Sequence, residues 1–320
     1  MRAFILICAC LLFADRVPAA GDSLSAYIAD LLRAIPVSRT NAFVAPAPAD
    51  RARFVECMQR LMSADPNAAG PCLSGVNYTL TSLRDGGRTY WIASERRDGF
   101  KGQGTYIVDP EYDRNLVLET PHPIFDTGTL KEAGEIMRKV GARALFVPGT
   151  HRCANSEAAS GCDGHTNACG GQTYRVSDAA HFAGNFFTAA HEATLRLTPR
   201  PMVISVHGSA GEPVDAELSD GTLTSSPPGA FVIRLRNALE KRGVKAGSCN
   251  WPPDDPKRFH LCGGTNVQGR ISNGSPDPCT VPAKSASGLF VHIEQMRAVR
   301  TNPDFLAGAI QDAMPPRTRR

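Results

Sequence analysis

The sequence predicts an α/β fold: a three-layer open mixed sheet with helices on both faces and disulfide-rich loop insertions. Three observations lead there. From about residue 104 onward, short apolar runs alternate with segments of helical period, as in sheets whose strands are joined by crossover helices. The run at 202–206, Met-Val-Ile-Ser-Val, is nearly continuous in its apolar character, as befits a strand covered on both faces. Cysteines at 153, 162, 169, 249, 262 and 279 fall in Gly- and Ser-rich stretches between those elements.

The chain has 320 residues, of which 42% are hydrophobic, enough for a sizeable core. Its 35 basic and 31 acidic residues leave a net charge of +4, too balanced for a nucleic-acid partner. Residues 1–20 read as a signal peptide. Arg2 carries the positive charge, 3–14 is a short apolar run, and small residues follow at 17–20. That run is too short to span a bilayer comfortably, and none after it approaches the length. The expected location is secreted or periplasmic. Eight cysteines remain after the signal. An even number in an exported chain implies disulfides, with Cys57–Cys72 and Cys249–Cys262 favoured as local bridges. Pairing among Cys153, Cys162, Cys169 and Cys279 stays open. No pair is spaced as CxxC, which argues against a cysteine zinc site.

Residues 21–103 are expected to form an N-terminal extension packing on the main domain. Within it, 24–35 has helical period and stops at Pro36, and 51–62 reads as a second helix. Residues 79–83 and 89–93 read as strands joined by a turn at Asp85-Gly86-Gly87. The main domain is placed at 104–315, and 316–320 is a basic tail. In the domain, strands are expected at 104–108, 115–118, 144–147, 202–206 and 288–293. Helices are expected at 130–140, 178–197, 231–239 and 304–314. Residues 153–175 and 245–286 are read as loop insertions. There are no internal repeats.

The organising stretch is 119–129, Glu-Thr-Pro-His-Pro-Ile-Phe-Asp-Thr-Gly-Thr. It leaves the strand at 115–118 and enters the helix at 130–140, an address at the mouth of the ligand crevice in open α/β sheets. Its His122 and Asp126 can both reach one divalent cation. Thr129 and Glu132 have the spacing of a capping box. His207 ends the strand at 202–206 and Gly208 lets the chain turn. Together, His122, Asp126 and His207 make a three-ligand catalytic zinc set with a position left for water. Taken alone, His207 also suits a hydrogen-bonded histidine at a strand end. Glu294 closes Leu-Phe-Val-His-Ile-Glu at 289–294. A carboxylate ending an apolar strand needs a partner or a task. The task would be proton transfer; the partner would be Arg297 or Arg300.

His-x-x-x-Asp-x-Gly-Thr after a strand, a later strand ending His-Gly, and a late Val-His-Ile-Glu followed by Arg297 resemble the phage-type poly-γ-glutamate hydrolases. More distantly the order is similar to N-formylglutamate amidohydrolases and zinc carboxypeptidases. The resemblance implies a zinc-exopeptidase-like fold, zinc on His122, Asp126 and His207, and general acid–base catalysis by Glu294. It covers about residues 115–132, 202–208 and 288–297. Asp126 stands where that family has Glu, and His292 where it has Gln. The cysteine-rich insertions have no counterpart in it.

Other residues carry less. Arg152, after the strand at 144–147, and Arg297 are candidates to hold a substrate carboxylate. Asp178 reads as a helix N-cap and His181 as a pocket-wall or core residue. His191-Glu192 lacks the second histidine of a zincin. His165 and His260 read as incidental. Glu119 supports a ligand or faces solvent. Ser209 lacks the nucleophile-elbow frame. The expected function is an exported zinc-dependent hydrolase of an amide or peptide-like bond, acting on a small-molecule or peptide-like substrate. The alternatives are a secreted binding module on the same scaffold and a metal-dependent esterase or phosphoesterase.

Overall fold

The computed structural model describes residues 23–210, 213–252, 259 and 261–316. The expected signal peptide, nearly all of the basic tail and His260 lie outside these.

The chain opens with three helices, α1 (Leu24–Ala34), α2 (Pro48–Met62) and α3 (Pro66–Ser74). Ser23 caps α1 by accepting from Ala26 N, and Asp65 caps α3 by accepting from Ala68 N. Prolines occupy the first helical positions of α2 and α3, where a missing N–H costs nothing. Strands β1 (Tyr78–Asp85) and β2 (Arg88–Glu95) form a hairpin. Its two-residue turn, Gly86-Gly87, has positive φ at both positions, a geometry glycine adopts without strain. Next come β3 (Thr105–Val108), β4 (Arg114–Glu119), α4 (Thr129–Val140), β5 (Ala142–Val147) and α5 (Phe186–Leu195). They are followed by β6 (Met202–Gly208), β7 (Ala216–Ser219), α6 (Phe231–Glu240), β8 (Ala246–Ser248) and α7 (Val267–Ser272). The chain closes with β9 (Phe290–Gln295), α8 (Arg297–Arg300) and α9 (Asp304–Ala313).

Nine strands form one mixed sheet in the order β1-β2-β3-β5-β4-β6-β9-β7-β8. The central β5, β4, β6 and β9 are parallel, so their C-terminal ends share one edge. Side chains alternate across the sheet. Leu116, Leu118, Ile204, Val206, Val291 and Ile293 pack with α1, α4, α6 and α9. Val117, Val203 and Phe290 pack on the opposite face with α2, α3 and α5. Helices therefore cover both faces. Four disulfides form: Cys57–Cys72 and Cys249–Cys262, as favoured, with Cys153–Cys169 and Cys162–Cys279.

Three local expectations are corrected. The helix expected from 178 begins at Phe186, where Asn185 Oδ1 accepts from Thr188 N; 178–185 is a series of turns. No capping box forms at α4. Gly128, at φ 97°, is the cap residue, Thr129 Oγ1 donates to Asp126 O, and the Glu132 carboxylate turns inward to Gln295. The hairpin of the N-terminal extension does more than pack on the domain, because β2 pairs with β3 and extends the sheet.

Candidate metal centre

The polar centre lies where the second face of the sheet runs out of apolar side chains. Along β6, Val203 gives way to Ser205 and His207; along β9, Phe290 gives way to His292 and Glu294. These residues are paired in register, Ser205 with His292 and His207 with Glu294. All four side chains therefore leave the same face side by side.

The loop after β4 completes the cluster. Asp126 N donates to His122 O at 2.8 Å, and Asp126 O accepts from Thr129 N and Oγ1. This single closed turn brings His122 and Asp126 together, with Nδ1 and Oδ2 3.2 Å apart. His207 Nδ1 lies 3.4 Å from the same Asp126 oxygen. A tetrahedral zinc shell with bonds of about 2.1 Å separates ligand atoms by about 3.4 Å, so both distances match such a shell. The remaining ring nitrogens are held from behind. His122 Nε2 is 2.9 Å from Asp178 Oδ1, and His207 Nε2 is 3.0 Å from Ser205 Oγ. Ligating histidines are ordinarily oriented in this way. The three residues expected to hold a metal are thus brought together and buried.

Asp178 is the residue that reasoning from the sequence misplaced. It is fully enclosed and gathers three cationic or imidazole groups. Oδ1 meets His122 Nε2 and His181 Nδ1, the latter at 3.0 Å. Oδ2 accepts from Arg152 Nε at 2.9 Å and Nη2 at 2.5 Å. Its N-cap appearance was local; two of its partners, His122 and Arg152, lie 56 and 26 residues away. The turns that carry it are pinned by Cys153–Cys169 and by Cys162–Cys279. A paired contact of Arg270 with Asp163, at 2.6 and 3.0 Å, reinforces that clasp. Tyr174 stacks on His181 with ring centroids 3.6 Å apart.

Arg152 stands beside the cluster with Nη1 3.4 Å from His122 Nδ1. Arg297 is not brought there. It is exposed at the first position of α8. The inward arginine of that helix is Arg300, which donates to the carbonyls of Thr127, Ser209 and Gln295. Glu294 pairs with neither arginine. Glu119 points to the helix side, where it meets His191 Nδ1 at 2.8 Å.

The electrostatics of Asp126 and His207 suit cation binding, whereas His122 would have to release a proton to a metal. Burial opposes charge on His122, as does Arg152, but Asp178 and Asp126 outweigh both and hold its pKa above the ordinary value. Burial would raise Asp126, yet His122 and His207 hold its carboxyl far below the usual range. His207 is pushed down to about 4, chiefly by burial, with Asp126 opposing. An ionised carboxylate beside a neutral imidazole is what ligation requires. Burial, with help from Asp126, pushes Glu294 up to about 8.

No family model and no curated protein matches the chain. Among solved structures, YNDL in an apo, zinc-free form aligns with 70% of this chain and 74% of its own, at 17% identity and a TM-score of 0.31.

Proposed function

We propose that the protein is an exported, zinc-dependent hydrolase of an amide or peptide-like bond, with a zinc-exopeptidase-like arrangement at its sheet edge. One observation carries the reading: the Nδ1 atoms of His122 and His207 lie 3.2 and 3.4 Å from one Asp126 carboxylate oxygen, with both Nε2 atoms anchored from behind. The resemblance of the His122, His207 and Glu294 motifs to phage-type poly-γ-glutamate hydrolases points the same way. Four disulfides suit an oxidising compartment. Among the described residues no helix is long and apolar enough to cross a membrane.

When bound, the zinc would lower the pKa of a water molecule towards about 7 and polarise the scissile carbonyl. The chain's own residues do the rest. Asp178 holds His122, and Ser205 holds His207, each in one ring orientation. Glu294, whose Oε1 is 3.9 Å from His207 Nδ1, is placed to take a proton from the attacking water and pass it to the leaving amine. Arg152 is fixed by Asp178 through Nε and Nη2, which leaves Nη1 towards the cluster for a substrate carboxylate.

The test is metal analysis of protein purified without added metal, followed by hydrolysis assays on peptides, γ-glutamyl amides, acylated amino acids and esters. About one tightly held zinc per chain and chelator-sensitive amide hydrolysis are expected. A protein that neither contains nor takes up zinc, or that cleaves esters alone, defeats the proposal. His122→Ala and His207→Ala should each lose the metal, because two ligands rarely hold zinc in such a site.

A further inference from the structure

We propose that His292 and Glu294 form a second, weaker site for a divalent cation, beside the first and distinct from it. The two residues alternate on β9, so both side chains leave the same face. Glu294 Oε1 faces His292 Nε2 at 3.6 Å, too far for a hydrogen bond. The Glu294 carboxylate lies close to two imidazole nitrogens, His292 Nε2 and His207 Nδ1. His292 is 5% exposed and its Nδ1 has no hydrogen-bond partner.

A buried imidazole normally shows its role through what its two nitrogens bond. This one is instead oriented by packing. His207 lies against one side of the ring, with centroids 4.4 Å apart. Gly263 also packs on it: an added Cβ there would come within 2.8 Å of His292 Cγ. The adjacent Cys249–Cys262 bridge fixes that glycine's position. The ring is therefore held in place with no bonded partner at Nδ1 to select its tautomer, and Nε2 is able to turn its lone pair towards a carboxylate oxygen. With Nε2 unprotonated and Glu294 ionised, the lone pair and the carboxylate oxygen repel each other across that gap, and a cation between them removes the repulsion. With bonds of about 2.1 Å, a zinc ion spans such a gap within a four-coordinate shell.

His207 cannot serve both ions through its one Nδ1, which already faces Asp126 in the first site. That leaves the second ion two protein ligands, with solvent for the rest, and makes the site weaker than the first. Imidazole with carboxylate suits zinc and neighbouring transition ions better than calcium or magnesium. The site does not depend on the hydrolase reading. Only its consequence does: an ion here engages Glu294 and so suppresses the proposed turnover.

Equilibrium dialysis of the folded, disulfide-intact protein against rising zinc tests the proposal. Bound metal should climb from about one to about two ions per chain, with the second at least tenfold weaker. His292→Ala and, separately, Glu294→Gln should abolish the weaker class and retain the tight one. The retained tight ion reports that the sheet edge is intact, and if one variant fails to fold the other decides. Saturation of the wild type at one ion, or a second class that survives in the folded variants, overturns the inference. Loss of the tight class in the wild type would instead defeat the proposed function, so the two failures are separable.

Discussion

His207 and Glu294 are register partners on the parallel strands β6 and β9, with Nδ1 and Oε1 3.9 Å apart. A shared register position in a parallel pair means a shared face. A ligand candidate and a proton-transfer candidate are thus held side by side by the backbone ladder, without help from a loop. Ser205 and His292, two residues earlier on each strand, occupy the next position of the same ladder.

Glu294→Gln follows from that placement. The substitution keeps volume and removes the basic oxygen. Turnover should fall about 10²–10⁴-fold, the usual worth of general acid–base catalysis, while the tight zinc and the melting temperature stay near wild type. An unchanged rate with normal zinc content would take Glu294 out of the mechanism.

Asp178→Asn tests the support behind His122. The amide keeps the shape but loses the charge that holds His122 and Arg152. Zinc affinity should drop about 10–100-fold, as is typical when a histidine ligand loses its carboxylate partner. Competition with a chromophoric chelator would measure it. An affinity equal to wild type would show that the orientation of His122 does not depend on Asp178.

How far the sequence could be read follows from the range of each interaction. The central strands and α4, α6 and α9 were legible because their apolar residues repeat within a few positions. So were His122, Asp126 and His207, since each sits where an apolar strand or its loop ends. β7 and β8, four and three residues long, are too short to show a period. Asp178 reads as a cap because it opens the segment of helical period; two of its partners, His122 and Arg152, come from β4's loop and the turn after β5. Arg297 follows Glu294 in the motif that carries the resemblance, but it is exposed on α8, which turns Arg300 inward instead. Those last two assignments depend on how distant segments pack, which local spacing does not encode.

The Cys162–Cys279 bridge should matter most to stability. It joins residues 117 apart in sequence and ties the turns carrying Asp178 to the segment before β9. Closing a loop of that length restricts the unfolded chain by about 4–5 kcal/mol in the chain-entropy account. Replacing both cysteines by alanine should lower the melting temperature more than the same change at Cys57 and Cys72, whose loop spans 15 residues. Equal losses in the two variants would show that native packing, and not loop length, sets the contribution. Thiol titration of the denatured, unreduced mature protein should find almost no free thiol.

Glu132 gives the pH dependence of folding. It is 1% exposed; its Oε2 accepts from Gln295 Nε2 at 2.9 Å, and its Oε1 has no partner. Burial raises its pKa from 4.5 to about 8, against the opposing effects of Gln295 and Arg300. The sign follows from proton counting. Below the unfolded value both states carry the proton and the group contributes no pH dependence. Between 4.5 and about 8 the folded state keeps a proton that the unfolded state releases, so stability declines as pH rises. The decline is at most about 1.4 kcal/mol per pH unit, and it levels off above the folded pKa. Glu132→Gln keeps an acceptor for Gln295 and cannot ionise. Its denaturation midpoint should therefore match wild type near pH 4.5 and exceed it increasingly towards pH 8. Parallel pH profiles for the two proteins would mean that Glu132 ionises in the fold at little cost, through water or a rotamer that reaches its orphan oxygen.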